Sequence, residues 1–515
     1  MSVIARRPRG NGRRSAGLLS LLLFGGLLSV ACDTGRGTPT VSSTPTLSST
    51  PTVGATQAVP AIAWRPCLGS LECGIVEAPL DHDRPDGETI RVYVARLAAS
   101  SPEHRIGSLV LDFGGPGGSG INALLDFSQA PQMLPVLSAL HERFDLVAFD
   151  RRATGHTIPI DCIDDDTKDA WRQLDSVKDP DWEALVRSSA DACASTYAHW
   201  LPFVSTIDVA RDLDLIRAAV DDTRLTYAGF SYGSLLGARY ASLYPNRVRA
   251  MLLDGALDPT LDLVAVGEKE AIAVEKSFDA FLEDCASSPD CVFRGDGDPG
   301  AAFDTLIADL DAAPLEVIGG HLLSVADVYR AIQLRLTVEG SWPALAGELE
   351  EARQGDGADL LRTADFAAGR TILGDYGNVL EAQMAILCSD YSSPDDLATV
   401  LEATAARLRD TAPRFGRYAG GLARFCASWP NRPPADLSPV AASTELAVLV
   451  IGHTGDPATP YEGSRQMVEQ LGNAVLVTRE GYGHTMLLTA PNACLQDAVT
   501  RYLFELEVPP YGLTC

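Results

Sequence analysis

The stretch Leu225-Thr226-Tyr227-Ala228-Gly229-Phe230-Ser231-Tyr232-Gly233-Ser234-Leu235-Leu236-Gly237 constrains this chain more than any other. It reads as a short apolar strand, one sharp turn and a helix. The turn, Gly229-Phe230-Ser231-Tyr232-Gly233, is a G-x-S-x-G pattern that holds a serine in strained backbone at the top of a parallel strand. Side chains at the two glycines would collide with the neighbouring strand and helix. The helix that follows aims its N-terminus at the serine, which favours negative charge developing there. Among 45 glycines the pattern alone can arise by chance. The strand before it and the helix after it supply the meaning.

The surrounding sequence repeats that rhythm. Strands are expected at 88–97, 108–111, 145–149, 225–230 and 249–254. A helix over 206–220 has Val209, Leu213, Ile216 and Val220 on one face and Ser205 or Thr206 as its cap. From 260 to 440 long amphipathic stretches take over, such as Glu268 to Cys285 with Ala271, Val274, Phe278, Phe281 and Cys285 in one stripe. Strands return at 446–451 and 474–478. The expected fold class is α/β, a mostly parallel sheet with helices on both faces and a helical cap inserted over its mouth. The expected layout is a core in two parts, 63–259 and 441–515, separated by a cap at 260–440.

A serine hydroxyl is a poor nucleophile at neutral pH. It needs a histidine base, and the histidine needs a carboxylate to hold its tautomer. On an α/β-hydrolase sheet the order is serine, acid, histidine. His321, His453 and His484 follow Ser231. His321 falls in the cap and His453 on the same turn as the best acid. His484, in Gly481-Tyr482-Gly483-His484 after the last strand, is the expected base. Asp456 and Glu462 both follow the strand ending at Ile451. Thr459-Pro460-Tyr461-Glu462 reads as a capping box, which gives Glu462 a structural task and leaves Asp456 as the acid; Asp254 is a weaker candidate. The oxyanion hole needs two backbone N–H groups, expected from Tyr232 and from Gly115 in the loop Gly114-Gly115-Pro116-Gly117-Gly118-Ser119-Gly120. Gly115, Gly117 and Gly120 also match G-x-G-x-x-G, but no acid ends a following strand about 20 residues on, as dinucleotide binding requires. The Lys-Ser/Thr of a P-loop is missing. No cofactor and no metal is expected.

Residues 1–31 read as a signal peptide: five arginines, then an apolar core from Leu18 to Val30 too short to span a bilayer. Ala31-Cys32 at its end resembles a bacterial lipobox, with Ser29 where leucine is usual. Lipidation of Cys32 would anchor the chain to a membrane. Residues 32–62, with Thr-Pro-Thr at 38–40, 44–46 and 50–52, read as an extended tether. The chain has 11 cysteines. The ten besides Cys32 lack zinc-like spacings and suit disulfides of an exported protein. A sequential pattern is expected: Cys67–Cys73, Cys162–Cys193, Cys285–Cys291, Cys388–Cys426 and Cys494–Cys515. A net charge of -27 argues against nucleic acid as a partner.

Taken together, these motifs resemble the bacterial secreted tripeptidyl aminopeptidase/proline iminopeptidase group of α/β-hydrolases. The resemblance rests on Gly114 to Gly120, Ala210-Arg211-Asp212-Leu213-Asp214, Gly229 to Gly233 running on to Tyr244-Pro245, Leu253-Asp254-Gly255, Asp456 with Thr459-Pro460, Gly483-His484, and the tail from Cys494 to Cys515. It covers roughly 65–515. Arg151 and Ala153 stand where that group usually has proline and glycine, and Phe113 where it has histidine or proline. The resemblance implies a Ser231 attack on a peptide carbonyl near a free N-terminus. It also implies a cap carboxylate for the substrate's ammonium group, with Asp390 and Glu381 as candidates. An esterase or other acyl hydrolase on the same fold, and a catalytically silent surface-binding protein, are the alternatives.

Overall fold

The computed structural model describes residues 59–174, 180–317, 321–429 and 436–515. The leader at 1–31, Cys32 and nearly all of the tether lie outside them. The described strands, in chain order, are β1 (Arg65–Pro66), β2 (Glu72–Pro79), β3 (Thr89–Leu97), β4 (Gly107–Asp112), β5 (Phe144–Phe149), β6 (Leu225–Phe230), β7 (Val248–Asp254), β8 (Leu315–Val317), β9 (His321–Leu323), β10 (Val448–Gly455) and β11 (Ala474–Tyr482). Nine of them form one sheet in the order β1-β2-β3-β5-β4-β6-β7-β10-β11. From β5 to β11 every neighbour is parallel, and β1 to β3 add an antiparallel edge. The strand β6, which leads into Ser231, lies near the middle, where both faces are covered and its apolar run is fully buried.

Alternation along the strands splits the core in two. Val110, Tyr227, Met251 and Val450 pack on one face; Leu111, Ala228, Leu252 and Ile451 pack on the other. The helix Thr206–Ala219 starts where its side chains dictate: Ser205 is the cap and accepts from the Asp208 N–H.

The cap has its own core, built on Phe278, Phe281, Phe303, Tyr329, Trp342 and Phe415. Its first helix runs Leu263–Ser287, longer at both ends than its stripe suggests. Two features were not expected. The cap contains a small antiparallel hairpin, β8 with β9, so His321 sits in a strand and not a helix. The helices Asp165–Gln173 and Pro180–Tyr197, which precede the nucleophile, also join the layer above the sheet; Trp182, Val186 and Cys193 pack with Ala382, Ile386 and Phe425. The structure joins Cys67 to Cys73, Cys162 to Cys193, Cys285 to Cys291, Cys388 to Cys426 and Cys494 to Cys515. Three of these bonds lie in the layer above the sheet and one ties the C-terminal residue to the last helix.

Candidate active site

Ser231 sits between β6 and the helix Tyr232–Leu243 with φ 55° and ψ -124°, a strained backbone for a residue with a side chain. Its N–H donates to Asp254 O at 2.8 Å. The flanking glycines are obligatory. A Cβ on Gly229 would sit 2.3 Å from Gly233 O, and one on Gly233 would sit 2.6 Å from Asp112 O. The elbow is thus fixed by two close backbone approaches.

His484 is buried, and its N–H donates to Thr337 O of the cap at 2.8 Å. Its Nδ1 donates to Asp456 Oδ2 at 2.9 Å. That leaves Nε2 as the acceptor, the tautomer a base requires. Asp456 is held in turn: its Oδ1 accepts from the N–H groups of Ala458 and Thr459, each at 2.9 Å. Burial would raise the Asp456 carboxyl, but the His484 charge and these bonds hold it below its ordinary value. Burial would lower His484, but the Asp456 carboxylate outweighs it and holds the imidazole above its ordinary value. Ser231 and His484 line one small cavity of about 20 Å³, walled by Phe113, Phe230, Leu334, Val338 and Phe366.

The capping box expected at Thr459-Pro460-Tyr461-Glu462 is absent. The helix begins at Tyr461 with Pro460 as its cap and no side-chain cap bond. The Thr459 hydroxyl instead donates to Asp456 Oδ2 at 2.9 Å and lies 3.2 Å from His484 Nδ1. Glu462 is half exposed and bonds Arg465 and Gln466 on its own helix. The choice of Asp456 over Glu462 therefore rests on reach, not on capping. Asp254 is bonded to His453 instead, beside the Asp456–His484 pair.

On the oxyanion side, Gly114 N–H is taken by Asp112 Oδ1 at 2.9 Å. A Cβ on Gly114 would lie 2.9 Å from the Ser231 Cβ, so the loop passes directly against Ser231. Gly115, at φ 109°, follows it, and Tyr232 opens the helix on the other side. Arg151 connects the two. Its guanidinium bonds Gly114 O, lies 3.2 Å from Asp112 Oδ1 and stands over the Tyr232 ring at 5.3 Å. The sequence marked Arg151 as unusual without giving it a role.

The two expected ammonium partners lie elsewhere. Glu381 is fully buried and paired with Lys168 at 2.7 Å; burial, against the pull of Lys168, pushes its carboxyl up to about 7. Asp390 accepts from Thr206 N and Oγ1 at 2.7 Å each and from the Tyr232 hydroxyl, and burial pushes it up to about 6. Both carboxylates are engaged, and neither lines the cavity at Ser231. The residue that sequence reasoning missed is Glu270, on the helix Leu263–Ser287. Burial pushes its carboxyl up to about 7, and it is near enough to feel His484 and Asp456. No hydrogen bond or ion pair to another described residue holds it. A signal was present: Glu270 stands four residues before Val274, on the apolar stripe itself, where a charge needs a reason.

No group of three or more metal-binding side chains occurs among the described residues. Residues 108–296 match the family model described as alpha/beta hydrolase fold, and residues 412–515 match the model of TAP-like proteins. The chain is 33% identical over 483 residues to a protein named serine protease Hip1 of Mycobacterium tuberculosis, covering 88% of this chain and 91% of that one. It is 32% identical over 478 residues to carboxylesterase B of the same species, with 88% and 90% covered. It is 28% identical over 479 residues to the tripeptidyl aminopeptidase of Streptomyces lividans, with 88% and 86% covered.

Proposed function

Because the chain belongs to the α/β-hydrolase family with a TAP-like C-terminal region, and is a serine hydrolase, we propose that it is an exported aminopeptidase acting on short peptides through Ser231, His484 and Asp456. His484 Nε2 takes the Ser231 proton as Oγ attacks the carbonyl carbon. Asp456 keeps the imidazole oriented and balances its charge. The oxyanion is held by the N–H groups of Gly115 and Tyr232. The intermediate collapses as His484 returns the proton to the leaving amine, leaving an ester on Ser231. Water, deprotonated by His484, then attacks that ester and frees the enzyme.

The observation that carries the aminopeptidase reading is Glu270. Glu270 is partly exposed and has no hydrogen-bonded or ion-paired partner among the described residues, so it is open to a cationic ligand. A substrate's α-ammonium is the matching cation, and Glu270, outside the lining of the small cavity at Ser231, is near enough to His484 and Asp456 to interact with both. The test compares free and N-acetylated tripeptide amides. Free peptides should be cleaved at least about tenfold faster, and Glu270→Gln should raise their KM by about tenfold with a much smaller change in kcat. Equal cleavage of both peptides by the native enzyme sinks the reading. The apolar lining around Ser231 favours a second reading, a hydrolase of short acyl esters; that one wins if acetyl esters turn over far faster than any peptide. Failure of Ser231 to react with a fluorophosphonate would leave only the silent binding protein.

Export is supported by the five disulfides. The lipid anchor rests on Cys32 alone: Cys32→Ser should move the enzyme from membrane to medium, and an unchanged membrane fraction removes the anchor from the proposal.

A further inference from the structure

A second cavity, of about 400 Å³, lies beside the site, between the cap and the helix Asp165–Gln173. The two cavities share no lining residue, but both are walled by the helices Val325–Leu336 and Ala358–Ala367. Leu334 and Phe366 wall the cavity at Ser231, and their chain neighbours Gln333 and Ala367 wall this one. Its far wall presses on the oxyanion loop: a Cβ on Gly117 would sit 2.4 Å from Val379 O and 3.2 Å from the Gln383 Cβ, both lining residues.

Its chemistry is the reverse of the protein's. The chain carries -27, yet Lys168, Arg172 and Arg330 line this cavity and no described carboxylate does. Carboxylates outside the lining pair the other two cations: Asp161, Asp165 and Glu381 face Lys168, and Asp327 and Asp365 face Arg172, which leaves Arg330 as the cation with donors to spare. One oxygen, Asp327 Oδ1, serves both Arg172 at 2.8 Å and Arg330 at 3.0 Å. Arg330 has five N–H donors and, among the described residues, uses one of them; its side chain is 33% exposed. The Trp171 indole Nε1 is buried without a partner. Arg330 thus offers unused donors to an anion beside an apolar lining that includes Trp182, Tyr329, Met384 and Phe425.

We propose that this cavity receives the C-terminal residue of a short peptide, with its large apolar or aromatic side chain among the rings and its free carboxylate on Arg330. The inference rests on the peptidase reading above. With Glu270 at one end and Arg330 at the other, the enzyme recognises a zwitterionic oligopeptide by both of its charges.

The test measures binding apart from chemistry. Calorimetric titration of Ser231→Ala enzyme with N-acetylphenylalanine and with its amide should show the acid binding about tenfold tighter, as a charge-assisted pair with Arg330 implies. N-acetylphenylalanine has no ammonium group, so Glu270 plays no part. Arg330→Gln should bring acid and amide within about twofold, and Trp171→Phe, which keeps the ring and removes the donor, should weaken the acid alone. Fluorophosphonate labelling of Ser231 in otherwise native Arg330→Gln enzyme checks that the site is intact; if that variant fails to fold, Trp171→Phe decides. Equal binding of acid and amide by the Ser231→Ala enzyme overturns the proposal. So does decanoate that binds tightly where N-acetylphenylalanine does not, since the ligand is then an aliphatic acid. If binding discriminates but no peptide is hydrolysed by native enzyme, the cavity stands as an aromatic-carboxylate site and the peptidase reading fails. If peptides are hydrolysed but acid and amide bind alike, the reverse holds.

Discussion

The molecule holds two buried Asp–His pairs side by side, and they differ in what surrounds them. Asp456 and His484 are 2.9 Å apart, every Asp456 oxygen is matched by donors, and His484 lines the same cavity as Ser231. Asp254 and His453 are both wholly buried and bonded to each other, yet Asp254 Oδ2 and His453 Nδ1 have no partner. Asp254 ends β7 and Asp456 follows β10, so both lie at the carboxyl ends of sheet strands, where α/β sheets gather their reactive groups. Burial and pairing therefore do not define the site. Access to Ser231 does, together with a shell that satisfies the acid fully.

The largest effects should separate the pairs by kind. Asp456→Asn is expected to cost about 10⁴-fold in kcat, because the amide reverses the imidazole tautomer while leaving the loop's hydrogen bonds largely in place. Asp254→Asn should leave kcat within about tenfold but lower stability, since removing one member of a buried pair costs about 3–5 kcal/mol. Steady-state kinetics and thermal unfolding on the two variants check this. A loss of kcat as large in Asp254→Asn as in Asp456→Asn would mean that the pairs work as one unit.

Arg151 comes next. Arg151→Ala removes the brace between the Gly114 carbonyl and the Tyr232 ring, and should lower kcat by about 10–100-fold with KM little changed, as expected when oxyanion donors lose their alignment. Thr459→Val removes a hydroxyl bond to the charged Asp456 and should cost about tenfold. If Thr459→Val instead melts the following helix without touching kcat, the capping role read from sequence was right after all.

How much of this was legible follows from how local each constraint is. Gly229, Ser231 and Gly233 are dictated by contacts within a few residues, so the elbow could be read directly. His484 and Asp456 were readable from their place in the strand order. Thr459 was misread because a Thr-Pro pair before a helix looks like a cap; only the folded loop shows its hydroxyl drawn to Asp456. Arg151 and Glu270 act across the fold, on partners 37 residues away and more in the chain for the first. Asp390 and Glu381 were chosen from the right layer but were already bonded to Thr206 and Lys168.

The smallest expected effects lie in pH. His484 must be neutral to act as a base, and its pair with Asp456 holds it above its ordinary 6.5. The rate should therefore fall as pH drops through a midpoint above 6.5, and Asp456→Asn should move that midpoint down. The stability contributed by the pair has the opposite slope. His484, raised, stabilises fully below 6.5 and less as pH climbs through its folded value; Asp456, lowered, stabilises above 3.8 and less as pH falls through its folded value. The pair therefore contributes most between about 3.8 and 6.5, where the enzyme is slow. Glu270, pushed up to about 7, adds a third term: its ionisation across pH 7 should lower KM for free-amine peptides as pH rises, and Glu270→Gln should flatten that trend. The same group loses stability for the fold as pH rises above 4.5, because its charged form is the buried one that water would favour. Glu270→Gln should then unfold at a higher temperature than native enzyme at pH 8 and not at pH 4. A variant that is less active and no more stable at pH 8 would place the Glu270 carboxylate in water, not in the site.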